Sequence, residues 1–412
     1  MIRALYFSYM SPYPPYSGYQ LRIWNICKQL SRKMDQSILC RVFNPLDSEY
    51  IQRVSKENIR IESVVISRPG FYRKLIKALA FLPKGYPLRA VGWYFPAMKK
   101  ILRQLVSKDN FDLIIIEGSY YGIYWPFIYK TKALKVLDLH NIEEERILRE
   151  AGTLPAGVRK FIYFYDALRM RYLENKIIDG VDLTLVTSER ESQELLRRNY
   201  KARVFVAPNG VDCETIRQLP FADNPEILFV GALDYAPNVD GIFFFVNKIL
   251  PKLHSDFPNL KFRIVGRSPT TEIKKLNGTA GIEVTGQVED LEPYYRRCAL
   301  CVVPLRSGGG TRLKILEAMA YGRAVVSTTI GCEGIEAFHN KHILIADEAE
   351  EVSDAIISLL INRDLAAFLV NNARSLVEKK YSWDRIAEGI FEQYINLINQ
   401  RQHLRCDPAT SD

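Results

Sequence analysis

"CVVPLRSGGGTRLKILEAMA", Cys301 to Ala320, runs from an apolar stretch of strand length through three consecutive glycines and two cations into an apolar segment of helical period. Strand, glycine loop and helix in that order make the repeating unit of a doubly wound α/β sheet, and such sheets bind ligands outside the carboxyl ends of their strands. Glycines let backbone amides come close to an anion, and a helix N-terminus adds partial positive charge. Arg312 and Lys314 add two full charges. Gly308, Gly309, Gly310, Thr311, Arg312 and Lys314 therefore read as a cradle for a diphosphate. The spacing is neither that of the P-loop nor G-x-G-x-x-G. Cations in a first helical turn oppose the helix dipole, so this placement asks for a compensating anion. The plainer alternative is a tight turn followed by a solvated Arg and Lys. Glu317, one turn beyond Leu313, is placed either to accept hydrogen bonds from a ribose or to face solvent.

Outward from this stretch the same alternation continues. "IRALYFSY", "SILCRVF", "IRIESVVI", "FDLIIIEG", "LKVLDLH" and "VDLTLVTS" precede a break, and "EILFVGAL", "LKFRIVG", "GIEVTGQV", "RAVVSTT" and "HILIAD" follow it. Strands separated by helix-period segments imply parallel sheets covered on both faces. At 412 residues the chain exceeds what one core usually organises, so two such domains are expected. Turn formers and prolines around "PNGVDCETIRQLPFADNPE" put the join there. The expected division is a first domain over 1–207, a linker over 208–225, a second domain over 226–381 and a final helix over 382–402, with Ser382 as its N-cap.

With 48% hydrophobic and 25% charged residues, the composition is that of a globular protein. "MIRALYFSYMSPYPP" is too soon interrupted by prolines for a secretory leader and reads as a first strand, and no apolar run is long enough to span a bilayer, so a cytoplasmic location is expected. Seven scattered cysteines do not make a disulfide framework, and "CALC" at Cys298 to Cys301 opens an apolar run and reads as core. No Asp-x-Asp stands at a convincing strand end, which leaves no metal expected; "DNFD" at Asp109 to Asp112 merely precedes a strand.

The net charge of +9 is concentrated. Ser63 to Lys108 holds ten Lys and Arg and no acid, and the rest of the chain carries 46 cations against 47 acids. Cations interleaved with aromatics there suit an anionic membrane surface or a lipid-linked acceptor, with Arg73, Lys74, Lys77, Lys84 and Arg89 as the candidates. The alternative is a basic helix pair with Phe71, Leu75, Leu79 and Trp93 in the core. Nothing beyond this basic stretch suggests a reader of nucleic acid.

The glycine stretch resembles the donor-binding region of GT-B glycosyltransferases, specifically the retaining family 4 group. "YPPYSGYQLRIWN", "DLHNIEEER" (Asp138 to Arg146), "APNGVD", "FVGALDYAPNVDGIFFF" and "GQVEDLEPYY" recur in the same order in that family. The resemblance covers nearly the whole chain. It implies two Rossmann-like domains facing a cleft, a UDP- or GDP-sugar held by the C-terminal one and a glycan or lipid-linked acceptor held by the N-terminal one. The last helix would cross back to the first domain. It implies that Glu317 binds ribose hydroxyls, that Gly18 lies near the donor phosphates, that Asn238 belongs to the donor loop and that His140 lies beside the donor sugar. Asp138 and Glu143 to Glu145 become candidates for acceptor contact, against a solvated acidic face. Retention would follow front-face attack without a protein base.

Three departures matter. The first acid of the family's E-x7-E pattern falls at Gly309, the cations of the first loop of the second domain are replaced by Ala232 and Pro237, and Tyr19 stands where a second glycine is common. These losses are coherent if Arg312 and Lys314 neutralise the leaving diphosphate in their place. The sequence thus points to a metal-independent retaining transferase of surface polysaccharide, cytoplasmic or attached to the inner membrane face. Two alternatives stay open: a degenerate scaffold that binds nucleotide or membrane, and a phosphorylase-like use of the fold with a lysine-bound pyridoxal cofactor.

Overall fold

The computed structural model describes the chain except residues 16, 45–47, 67–75, 78, 109, 199–200, 202, 223, 309 and 407–412, and the side chains of 48, 49, 51, 82 and 404–406. Gly309, Arg73 and Lys74, with Phe71 and Leu75, therefore lie outside the described residues. The chain forms two compact units, Met1–Pro208 with Ile386–Asp412, and Asn209–Arg385.

The first unit is built on seven parallel strands: β1 (Ile2–Ser8), β2 (Met34–Val42), β3 (Ile59–Val65), β4 (Leu113–Glu117), β5 (Leu134–Asp138), β6 (Leu183–Val186) and β7 (Val204–Val206), in the order β3-β2-β1-β4-β5-β6-β7. Central strands covered on both faces must be apolar throughout, and Leu113 to Ile116 are all buried accordingly. The second unit repeats the plan with β8 (Glu226–Val230), β9 (Lys261–Val265), β10 (Ile282–Gly286), β11 (Leu300–Val303), β12 (Ala324–Ser327) and β13 (Leu344–Ile345), ordered β10-β9-β8-β11-β12-β13. Each expected strand forms.

In both sheets the winding reverses between two neighbours, β1 and β4 in the first and β8 and β11 in the second. The crevice at the carboxyl ends of such a pair is where doubly wound folds receive ligands. Six helices matter for those crevices or for the surface: α1 (Gly18–Leu30), α2 (Glu143–Gly152), α3 (Val158–Ile178), α4 (Ala236–Phe244), α5 (Leu313–Ala320) and α6 (Trp383–Cys406).

The stretch expected as a linker is bound into the second unit. Val211 N donates to Tyr381 O (2.8 Å) and Leu219 N to Tyr321 O (3.0 Å), while the buried Arg323 guanidinium donates to Pro220 O (2.8 Å). Backbone groups of a segment without regular structure are thereby satisfied inside one unit. The final helix begins at Trp383 and continues into the first unit from Ile386, where Ile390 and Tyr394 are buried and Gly389 lies against Phe205. Ser382 precedes it, but its hydroxyl donates back to Glu378 O (3.1 Å). Cys298 and Cys301 are buried in the second core, and the described cysteines are free.

Candidate functional site

In the second unit the glycine stretch leaves β11 at the crevice and turns into α5. Gly308 (φ 109°) and Gly310 (φ 80°) take backbone conformations that side chains rarely adopt. A Cβ at Gly308 would also stand 3.0 Å from Arg312 Nη2 and 3.4 Å from Pro237, so the missing side chain lets the buried Arg312 fold over the loop. Arg312 occupies the cap position of α5 and gives it no side-chain cap. Thr311 Oγ1 is buried without a hydrogen-bond partner among the described residues.

Lys314 reaches across to the loop that follows β8. Its ammonium donates to Asn238 Oδ1 (2.9 Å) and lies 4.0 Å from the centre of the Phe229 ring. Asn238 Nδ2 in turn donates to Ala232 O (2.8 Å), closing that loop. A Cβ at Gly231 would meet Lys314 Nζ at 2.7 Å, and one at Gly266 would fall 1.6 Å from Gly231 O, so glycine at both places lets the loop lie flat beneath the lysine. Burial, with Arg312 nearby, pushes the Lys314 ammonium down to about 7, and burial raises Glu317 to about 7 against the pull of Lys314. The two cations thus stand against Gly231 and against Pro237 and Asn238 in the first turn of α4, beside a loop that lacks cations of its own. Arg312 is buried and Lys314 is hydrogen-bonded to Asn238, so the solvated pair of the plainer alternative does not form.

In the first unit three distant stretches meet on one guanidinium. Arg22, fully buried in α1, pairs with Asp138 at the end of β5 (Nη2–Oδ1 2.9 Å, Nε–Oδ2 3.1 Å) and donates to Ala207 O (2.8 Å) and Pro208 O (3.0 Å). Beside this pair His140 Nε2 bonds Glu117 Oε2 (2.9 Å) at the end of β4. Burial and then Asp138 raise the Glu117 carboxyl, while His140 and Arg22 lower it. Glu117, Asp138 and His140 bring ligand-type atoms within 4.8 Å of one another, although Asp138 is already neutralised by Arg22. The Tyr19 ring lies over His140 (4.4 Å between centroids) and Tyr9 stacks on Tyr19 (4.0 Å). The aromatic at the position where a second glycine is common therefore walls the histidine. Gly18 opens α1 behind Ser17, whose hydroxyl caps the helix by accepting from Gln20 N.

Two family profiles match the chain: "Glycosyltransferase Family 4" over residues 16–215 and "Glycosyl transferases group 1" over residues 224–362. The chain belongs to the group 1 glycosyltransferases. Over 408 residues it is 24% identical to an uncharacterised 44.6 kDa protein in the cps region of Klebsiella pneumoniae, covering 95% of this chain and 100% of the relative. It is 29% identical to the lipopolysaccharide 1,2-N-acetylglucosaminetransferase of Salmonella typhimurium, over 67% of this chain and 79% of that one. Anabaena HepE, solved in complex with UDP-glucose, superposes with a TM-score of 0.65 at 16% identity, over 95% of this chain and 99% of that one. The GT-B fold expected from the resemblance is the fold of this glycosyltransferase.

Several expectations for the glycosyltransferase need correction. Glu143 to Glu145 are neither a solvated face nor free for an acceptor. Glu143 accepts from Tyr120 OH (2.6 Å) and Arg146 (2.8 Å), buried Glu144 pairs with Arg198 (2.7 Å), and Glu145 with Arg190 (2.9 Å). Of the basic candidates, Arg89 is held by Glu150 (2.7 Å) and Asp166 (3.5 Å), and Lys77 donates to Gly92 O (3.3 Å) over the Phe95 ring, with burial pushing it down to about 8. Lys84 alone of the described three is exposed. Leu79, assigned to the core by the alternative reading, is 61% exposed.

Sequence reasoning passed over Arg22, Glu117 and Glu174. Glu174 is buried in α3 and accepts from Ser119 Oγ (2.7 Å) and from the Glu143 and Glu144 amides that open α2 (2.9 and 3.4 Å), with burial raising it to about 7. Glu117 carried a readable signal: an acid that closes the apolar run "LIIIE" stands at the carboxyl end of a strand. Arg22 and Glu174 carried none, because their partners are remote in sequence.

Proposed function

We propose that this glycosyltransferase moves a sugar, with retention of configuration and without a metal, from a UDP- or GDP-sugar to a cell-envelope glycan or its lipid-linked precursor. The observation that carries the reading is the pair Arg312 and Lys314 beside Asn238 at the switch point of the second sheet, with the Lys314 ammonium destabilised by burial and so in want of an anion. A diphosphate there would be met by Gly310 and Thr311 amides, the Thr311 hydroxyl and both cations. As the bond from the anomeric carbon to the phosphate oxygen breaks, the charge left on the diphosphate is what these groups stabilise. The acceptor oxygen would bond the anomeric carbon on the same face and pass its proton to a phosphate oxygen. Glu317 would hold the ribose, Gly18 would approach the donor phosphates, and His140, oriented by Glu117, would contact the sugar.

The acceptor side is supported by a groove of about 600 Å³ in the first unit, lined by Arg89, Trp93, Tyr120, Arg146, Ile162 and Tyr163. Glu150 and Asp166 also line it and pair with the two arginines, so aromatic faces beside ion-paired polar groups suit the faces and hydroxyls of a sugar ring. The envelope assignment draws on the Salmonella and Klebsiella relatives. Calorimetric titration of UDP, GDP and ADP without metal, repeated with Lys314→Ala, tests the donor side. One diphosphate should bind preferentially and the variant should lose it; binding of none refutes the cradle. Product formed in the presence of a chelator, with its anomeric configuration read by NMR, tests the rest. The absence of a carboxylate at Gly309 keeps a second reading, a nucleotide-binding scaffold without turnover, which any sugar transfer would end.

A further inference from the structure

Helix α3 is apolar on two sides. Ala167, Met170, Leu173 and Ile177 pack inward, yet Val158 (77% exposed), Phe161 (71%), Ile162, Leu168 (67%) and Tyr172 (62%) face outward. A helix apolar all round belongs in a core or against a second apolar phase, and a stripe of this length is larger than the scattered exposed side chains of ordinary surfaces. Its cations point the same way: Arg159, Lys160, Arg169 and Lys176 lie at or near the surface. Its two acids, Asp166 and Glu174, are both buried. The segment at Gly85 extends the pattern: Arg169 lies against Gly85, and the neighbouring Lys84 is exposed. No described helix is long and apolar enough to cross a membrane.

We infer that this face of the first unit, Val158 to Tyr172 of α3 with Lys84, docks on an anionic lipid bilayer. Exposed aromatic and aliphatic side chains among cations without exposed acids are what the headgroup boundary of such a bilayer accepts. A second copy of the chain is a poorer occupant, because a two-fold contact would set this helix's cations against themselves. Ile162 both borders the stripe and lines the acceptor groove, so a bilayer at α3 would bring a lipid-linked acceptor to that groove. That last step rests on the proposed transferase function; the docking does not.

The test is co-sedimentation of the full chain with vesicles of phosphatidylcholine, with and without phosphatidylglycerol. Docking predicts attachment only to vesicles that contain phosphatidylglycerol, weakening as salt is raised. A cation at an anionic leaflet contributes about fivefold in partitioning, so Arg159→Glu with Lys160→Glu should weaken attachment more than about 25-fold. Phe161→Ser with Leu168→Ser should abolish it, while thermal midpoint and UDP titration stay unchanged because these side chains are exposed. Failure of the native chain to attach, or equal attachment by either variant, overturns the inference. So does a concentration-dependent dimer that Phe161→Ser with Leu168→Ser disperses while vesicle attachment persists. Loss of UDP binding with attachment intact would count against the transferase reading alone.

Discussion

Lys314 is the side chain on which the proposed donor site turns. Its ammonium lies against Asn238 and the Phe229 ring at a depth that brings it down to about 7, from an ordinary 10.5. A diphosphate would restore the charge, so binding above about pH 7 must take up a proton. Affinity for UDP or GDP should therefore fall as pH rises from 7 to 9, approaching about tenfold per unit, and calorimetry in buffers of different ionisation enthalpy should register the proton. In Lys314→Met the affinity should be weak and this pH slope absent. Without ligand the same burial acts on stability with the opposite slope. Between about 7 and 10.5 the unfolded chain binds more protons at Lys314, so stability rises with pH; Glu317, raised from 4.5 to about 7, makes it fall as pH climbs through that lower window. Denaturant titrations across pH should find a minimum near 7. On the other unit, Glu117 orients His140 from a buried position. Glu117→Gln should lower kcat about 10- to 100-fold with the donor KM little changed, by analogy with other carboxylates that orient a histidine. An equal loss in both would make Glu117 merely structural.

At the level of elements, both crevices are assembled by connections that do not follow the strands. Arg22 ties α1, the end of β5 and the segment after β7. Removing one partner of a buried ion pair leaves the other charge stranded, so Arg22→Met should destabilise the first unit by about 3–5 kcal/mol in denaturant unfolding. Gly308→Ala tests the other crevice. Its φ of 109° excludes a comfortable alanine and the new Cβ would crowd Arg312, so stability should drop by about 1–3 kcal/mol and diphosphate affinity should drop with it. The strands themselves were legible because each is a short apolar run closed by turn residues, and the turn from β11 into α5 because three glycines precede a helix-period segment. Arg22 and Glu174 were not legible, since their meaning comes from partners 116 residues away at Asp138 and 31 residues away at Glu143. The final helix starts directly after Ser382, whose hydroxyl donates its proton to Glu378 O of the preceding helical turn.

Across the whole molecule, the chain's two units should report ligands separately. With a nucleoside diphosphate at a hundredfold excess over its Kd, the calorimetric transition that contains the second unit should gain about 2.7 kcal/mol, and stabilisation of the first unit's transition alone would contradict a diphosphate held by Arg312 and Lys314. The two sheets, their parallel sense and the family were determined by the sequence alone, because periodicity and local motifs act over a few residues and repeat in both halves. The apolar face of α3 was hidden in that same reading. Its inward and outward apolar residues cancel in any one-face pattern, and only the packing of Ala167, Met170 and Leu173 against the first core separates them. The same holds for Arg89 and Lys77, whose charges look outward in a basic run until Glu150, Asp166 and Gly92 claim them. Tertiary structure decided these points because a side chain's burial and its partner's charge are set by segments far away in the chain.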